Sequence, residues 1–185
     1  MLRAQHERCG PVAQDVIEAV EFELPRLEAG EALVEVVAAP INPSDLLTLT
    51  GEYAQLPVLP AVAGREGVGR VAELGTHAQG PEVGQLVLLP AGCGSWSTHI
   101  VADASRLVAL PSDGDPQQLA MMRINPPTAA LLLSEFVTLG PEDWVIQNAA
   151  NSAVVSRTAG PGRRPANRQR RPARGRGRCR APGGR

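Results

Sequence analysis

Lysine is absent from this chain: all 18 basic residues among its 185 are arginine. Aromatics are scarce as well, with two Trp, two Phe and a single Tyr. A core built from this sequence must therefore rely on Val, Leu and Ala. No apolar run reaches the roughly 18 residues of a spanning helix, so a membrane span is not expected. The first residues show no basic-then-apolar signal, because Val12 to Leu24 is interleaved with acids. The expectation that follows is a cytoplasmic protein. The three cysteines, Cys9, Cys93 and Cys179, are odd in number and far apart. They give neither a disulfide framework nor a zinc-binding spacing and read as incidental thiols.

The most localised absence lies at the C-terminal end. Residues 156–185 contain no acid and no Leu, Ile, Val, Phe or Met. Eleven of these 30 residues are Arg, six Gly, four Pro and four Ala. The near-neutral net charge of −1 is therefore a cancellation. Residues 1–155 carry 7 Arg against 19 acids, or −12, and the tail carries +11. A segment without apolar residues cannot offset the entropy of ordering itself and is expected to be disordered. Two readings of it stand. A translation frame slip in GC-rich coding sequence gives this composition, and the favoured reading is that one. A genuine Arg-rich arm would bind nucleic acid through phosphates. With no aromatic to stack bases, such binding would be non-specific and salt-sensitive, and a nucleic-acid partner is not expected.

What is present before residue 156 is a series of short strands. Glu31 to Ala39 is nearly continuous apolar sequence broken by Glu35, and Pro40 and Pro43 end it. Ser44-Asp45 offer caps for a short helix, Leu46 to Thr50, which Gly51 terminates. Gly64 to Gly75 reads as a strand with a bulge or a close backbone approach. Val83 to Leu89, Ser97 to Val101 and Arg106 to Leu110 add further strands, and the spacing suggests a sandwich or barrel-like β domain. Helical signals follow Pro111. Asp115-Pro116 start one helix and Asn125-Pro126 another, with Ala129, Leu132, Leu133 and Phe136 on one face. Asp143 to Ala149 reads as a buried strand running into a small-residue turn. A helix should then cover that strand, and the basic tail cannot be it. The strand would be left with an open edge.

The stretch Ala38 to Gly75, AAPINPSDLLTLTGEYAQLPVLPAVAGREGVGRVAELG, carries the family information. Its NPSD, the GxY at Gly51 to Tyr53, the paired prolines and the GxEGVGxVxxLG pattern resemble the GroES-like domain of the medium-chain dehydrogenase/reductase superfamily, in its zinc-free branches. INPPTA at Ile124 to Ala129 and WVIQNAANSAV at Trp144 to Val154 extend the likeness. Trans-2-enoyl-thioester reductases of the mitochondrial type are the nearest resemblance, with quinone reductases next. The fold implied is a mainly β GroES-like domain (1–123), followed by the first α/β elements of an incomplete Rossmann domain (124–155) and the basic tail (156–185).

The resemblance also implies roles. Tyr53 would hydrogen-bond an acyl-CoA or acyl-carrier thioester, or protonate its Cα. A phenol suits this because it is a neutral donor near pH 7, with a reference pKa of about 10. Asn125 has two competing roles, an ordinary helix N-cap or a contact on the nicotinamide side of NADPH. Asn151, Ser152, Ala153 and Val154 match the dinucleotide turn, where small residues let backbone N–H groups reach the pyrophosphate. The turn departs from the family pattern, because Ala153 and Val155 stand where glycines are expected. No metal is implied: the places of the family's catalytic zinc ligands hold Asn42-Pro43-Ser44 and Gly64-Arg65-Glu66, which lack thiolate and imidazole. The function implied is NADPH-dependent reduction of the Cα=Cβ bond of 2-enoyl thioesters, with this chain an inactive fragment. The family's homodimer surface would be missing. An NADPH-dependent quinone reductase or another zinc-free alcohol dehydrogenase-like reductase is the second enzyme reading. A β-domain binding module with a nucleic-acid-binding arm is the reading from another class.

Overall fold

The computed structural model describes residues 1–136, 138–140, 143, 145, 152 and 154. The tail 156–185 and most of the expected strand 143–149 lie outside the described residues.

Two sheets form the body. The larger has five strands in the order β7-β3-β5-β6-β8: His99–Asp103, Glu31–Ala38, Val68–Leu74, Leu86–Leu88 and Val108–Ala109. All pairs in it are antiparallel. The smaller has the order β2-β1-β4: Ile17–Glu21, Leu2–His6 and Ala61–Val62. The segment 96–98 stitches the two together. Ala4 N–H donates to the Trp96 carbonyl at 2.7 Å, and Val36 N–H donates to the Thr98 carbonyl at 3.0 Å.

The core is aliphatic, as the lack of aromatics requires. Ala32, Val34, Val71, Val87, Leu89 and Ile100 form its main cluster. On β3, Ala32 and Val34 are buried while Glu35 and Val37 are exposed. That alternation sets which face of the sheet is inward. Irregularity in β5 takes both forms that its glycines suggest. Leu33 pairs with Glu73 and Val34 with Val71, so Ala72 is an extra residue in a bulge. At Gly69 the backbone approach is close enough that a Cβ would sit 2.5 Å from the Glu35 carbonyl oxygen.

Strands β1 and β2 have no counterpart in the sequence reading. LRAQH and IEAVE carry little apolar alternation. They are held by backbone pairing, from Leu2↔Glu21 to His6↔Ile17. The first helix, α1, also differs. It spans Pro43–Thr50, three residues earlier than expected, with Asn42 rather than Ser44-Asp45 at the N-cap position. Pro43 at the first helical position has its φ preset for a helix. Asp45 Oδ2 accepts the Asn42 N–H at 2.8 Å, satisfying a donor that would otherwise be orphaned. Gly51 closes the helix in the left-handed conformation, with φ 81°. Helix α2, Pro116–Leu119, starts as expected, with Asp115 Oδ1 accepting the Gln117 N–H at 2.9 Å.

Helix α3 spans Asn125–Ser134. Its expected apolar face is only partly realised among the described residues. Ala129 is buried, but Leu132 and Phe136 are 54% and 75% exposed. The helix ends before Phe136, so the fourth position of that face is not helical.

Candidate active site around Tyr53 and Glu66

Tyr53 sits just past the end of α1. The Glu52 and Tyr53 N–H groups both donate to the Leu47 carbonyl, at 2.9 and 3.1 Å. The Gly51 N–H donates to the same carbonyl, and together these bonds close the helix end and fix where the ring emerges. The ring is half-buried and lies under the Arg65 guanidinium, 4.7 Å from guanidinium carbon to ring centroid. That cation–π contact leaves the phenol attached to a ring whose plane is held.

Beside Arg65, Glu66 is fully buried, at 0% exposure. Its carboxylate accepts from two directions. Asn42 Nδ2 donates to Oε1 at 2.9 Å, and the Ile124 backbone N–H donates to Oε2 at 3.1 Å. Its carbonyl accepts the Ser95 hydroxyl at 2.6 Å. Ile124 is the N-cap of α3, so Glu66 supplies an acceptor to the first turn of that helix from a distant part of the chain.

Of the two roles expected for Asn125, the cap role is not seen. The N-cap position belongs to Ile124, and Asn125 is the first helical residue, with no side-chain cap bond. The capping role is not realised, because Glu66 serves the helix start instead. The Asn125 side chain is buried and has no hydrogen bond among the described residues. Ser152 and Val154 are half-buried, while Asn151 and Ala153 lie outside the described residues. Arg65 thus touches Tyr53, and its neighbour Glu66 touches Ile124, the residue before Asn125.

A cavity of about 320 Å³ opens between the small sheet and α1, lined by His6, Asp45, Thr48, Leu56 and Arg65 among others. Asp45 is 2% exposed, and its Oδ1 has no hydrogen-bond partner. Burial pushes its carboxyl above the ordinary range, partly offset by the Asn42 N–H and by the Arg65 charge. His6 is 1% exposed with neither ring nitrogen bonded, and burial lowers its pKa. The Cys93 thiol is pushed up to about 11 by burial, which keeps it a neutral thiol at pH 7.

Sequence reasoning named Arg65 and Glu66 only as residues that are not zinc ligands. The signal that could have found their role was an acid and a base inside the glycine- and valine-rich run GREGVG. A charge there must be paired or hydrogen-bonded if the run is buried. Among the described residues no group of three or more His, Cys, Asp or Glu is placed to hold a metal ion.

Residues 28–112 match the model of the alcohol dehydrogenase GroES-like domain. Over 125 residues the chain is 49% identical to the mitochondrial enoyl-[acyl-carrier-protein] reductase of Xenopus tropicalis, covering 67% of this chain and 36% of that protein. In structure it is similar to the Etr1p/NADP/crotonyl-CoA complex, with TM-score 0.79 and 28% identity, over 85% of this chain and 50% of the other. A putative NADPH:quinone reductase from Bacillus thuringiensis aligns with TM-score 0.75 and 33% identity, over 83% and 46%. The chain thus spans about a third of the curated relative's length and half or less of these two structures.

The cytoplasmic expectation is overturned here. The relatives from Xenopus tropicalis, Rattus norvegicus and Homo sapiens are all named mitochondrial, which points to mitochondria instead. Composition could not have separated two aqueous compartments, since both suit an acidic surface over an aliphatic core. The GroES-like domain and these likenesses place the chain in the medium-chain dehydrogenase/reductase superfamily, and the curated relatives it matches are named enoyl reductases.

Proposed function

We propose that this chain carries the substrate side of an NADPH-dependent reductase of 2-enoyl thioesters. The observation that carries the reading is the single tyrosine of the sequence, fixed by the end of α1 and by Arg65. NADPH, when bound, supplies a hydride to Cβ and leaves as NADP⁺. The Tyr53 hydroxyl would hydrogen-bond the thioester or give its proton to Cα, so that the C=C bond becomes a C–C single bond with one new C–H bond at each carbon. The Asn125 side chain has unused donors and an acceptor, which suits a contact with the nicotinamide carboxamide. Ser152 and Val154 would lie along the pyrophosphate with Asn151 and Ala153. Because Ala153 and Val155 replace glycines, backbone approach to the pyrophosphate would be restricted. We therefore expect weak NADPH binding and no turnover by the 185-residue chain alone.

The reading includes no zinc. The amide of Asn42 and the guanidinium of Arg65 are poor zinc ligands, and the Glu66 carboxylate already accepts two hydrogen bonds.

The test is direct. Crotonyl-CoA should bind the purified chain, and Tyr53→Phe should weaken that binding several-fold with an unchanged melting temperature. Equal affinity in a folded Tyr53→Phe variant would remove Tyr53 from the site. NADPH oxidation by the chain on adding crotonyl-CoA would overturn the expected inactivity. The likeness to the Bacillus thuringiensis protein favours a second reading, NADPH-dependent quinone reduction. Binding of a quinone but not of crotonyl-CoA, insensitive to Tyr53→Phe, would select it.

A further inference from the structure

Glu66 has no place in the chemistry above, yet it is the most completely buried charged residue described, at 0% exposure. A carboxylate buried this way is costly unless every nearby donor serves it. Here the donors come from two separate elements. Asn42, at the cap of α1, donates from its side chain at 2.9 Å. Ile124, at the cap of α3, donates from its backbone at 3.1 Å. Residues 42, 66 and 124 are far apart in sequence, so one carboxylate closes two long loops.

The consequences run to both proposed site residues. Helix α1 leads directly to Tyr53, whose N–H bonds Leu47. Helix α3 begins with Asn125, next to Ile124. Arg65, adjacent to Glu66, stacks on the Tyr53 ring. The apolar packing of α3 is thin: among its described residues Asn125 and Ala129 alone are buried. Its position therefore depends on polar contacts at its start. The Thr128 hydroxyl bonds only within the helix, to the Ile124 carbonyl.

We propose that Glu66 is a positioning residue that holds Tyr53 and Asn125 in fixed relation, substrate side to cofactor side. The role of those two residues rests on the reading under Proposed function; the tie itself does not.

Glu66→Leu removes both acceptors with similar volume. Glu66→Gln is the conservative variant, since one amide oxygen can still take the Ile124 N–H while the Asn42 amide turns to meet the new NH₂. Amide hydrogen exchange followed by NMR separates positioning from general stability. In Glu66→Leu, exchange at Ile124 and Asn125 should speed by tenfold or more, and the Tyr53 resonances should shift. Val34 and Val71, in the sheet core, should keep their protection. Glu66→Gln should restore most of the Ile124 protection. Uniform loss across sheet and helix, or a folded Glu66→Leu with Ile124 and Tyr53 unchanged, would overturn the proposal. Should Glu66→Leu fail to fold, the unmodified chain decides. Its Ile124 N–H should exchange as slowly as the core strands, and exchange as fast as an open helix end would overturn the tie. Crotonyl-CoA binding, measured alongside by calorimetry, should weaken about tenfold in Glu66→Leu. If the unmodified chain does not bind crotonyl-CoA, the thioester reading fails while the exchange result still judges the tie.

Discussion

The five-stranded sheet and helix α3 are held in place by different means. In the sheet, Ala32, Val34, Val71, Val87 and Leu89 are essentially inaccessible, and β3 pairs along several residues with both β5 and β7. Its position is set by many small apolar contacts that reinforce one another. Helix α3 has one buried apolar side chain, Ala129, and a carboxylate from residue 66 at its first turn. Its position is set by few, directional bonds. Regions of the first kind make a stable frame. Regions of the second kind can be fixed at one point.

Substitutions can test this contrast, and the largest effect is expected in the sheet. Leu89→Ala deletes a fully buried side chain in the main cluster. It should cost about 2–5 kcal/mol in chemical denaturation, because a cavity remains where packing cannot collapse. A loss below about 1 kcal/mol would mean that the sheet is not the principal source of stability.

A middle-sized effect should come from buried polar groups, through pH. Burial holds His6 below its ordinary value of 6.5. The unfolded chain therefore takes up this proton before the folded one does. Stability from this group is full above pH 6.5 and declines as pH falls through the folded value. Asp45 runs the other way: its raised pKa means that the folded form binds a proton first, so acidification toward its folded value favours folding. Denaturation midpoints should fall between pH 7 and 5.5, and His6→Phe should flatten that slope. An unchanged slope in the variant would assign it to other groups. Sheet-core substitutions such as Leu89→Ala should shift the whole curve without changing its slope.

The smallest effect is expected on the outer side of α3. Leu132→Ser should change stability by less than about 0.5 kcal/mol, since the residue is 54% exposed. A large loss would show that this side of the helix is packed and would weaken the contrast with the sheet.

Much of the frame was legible in the sequence. Strands at 31–38 and 68–74 carry apolar alternation or glycine interruption with a clear backbone cause. Gly51 after an eight-residue helix, and Asp115 before Pro116, are local signals that need no distant partner. Strands β1 and β2 were not legible because their pairing is made by backbone groups that LRAQH and IEAVE share with any sequence. Half of the candidate site was legible as well. Tyr53 stands out as the one tyrosine, and its place after Gly51 follows from helix termination. Asn125 was visible, but local pattern could not show that Ile124 takes the N-cap position and gives its N–H to the Glu66 carboxylate.

The sequence by itself determined an aliphatic β frame, since composition and short-range periodicity are local properties that burial then uses. It also determined that the chain carries a single phenol, Tyr53. Only the tertiary structure decided that Glu66, Asn42 and Ile124 meet, that Arg65 covers Tyr53, and that His6 and Asp45 share one cavity. Those are contacts between residues well separated along the chain, 24 positions for Asn42 with Glu66 and 58 for Ile124 with Glu66. Local pattern cannot place such groups, because their energies depend on which partners the folded chain brings within hydrogen-bonding reach.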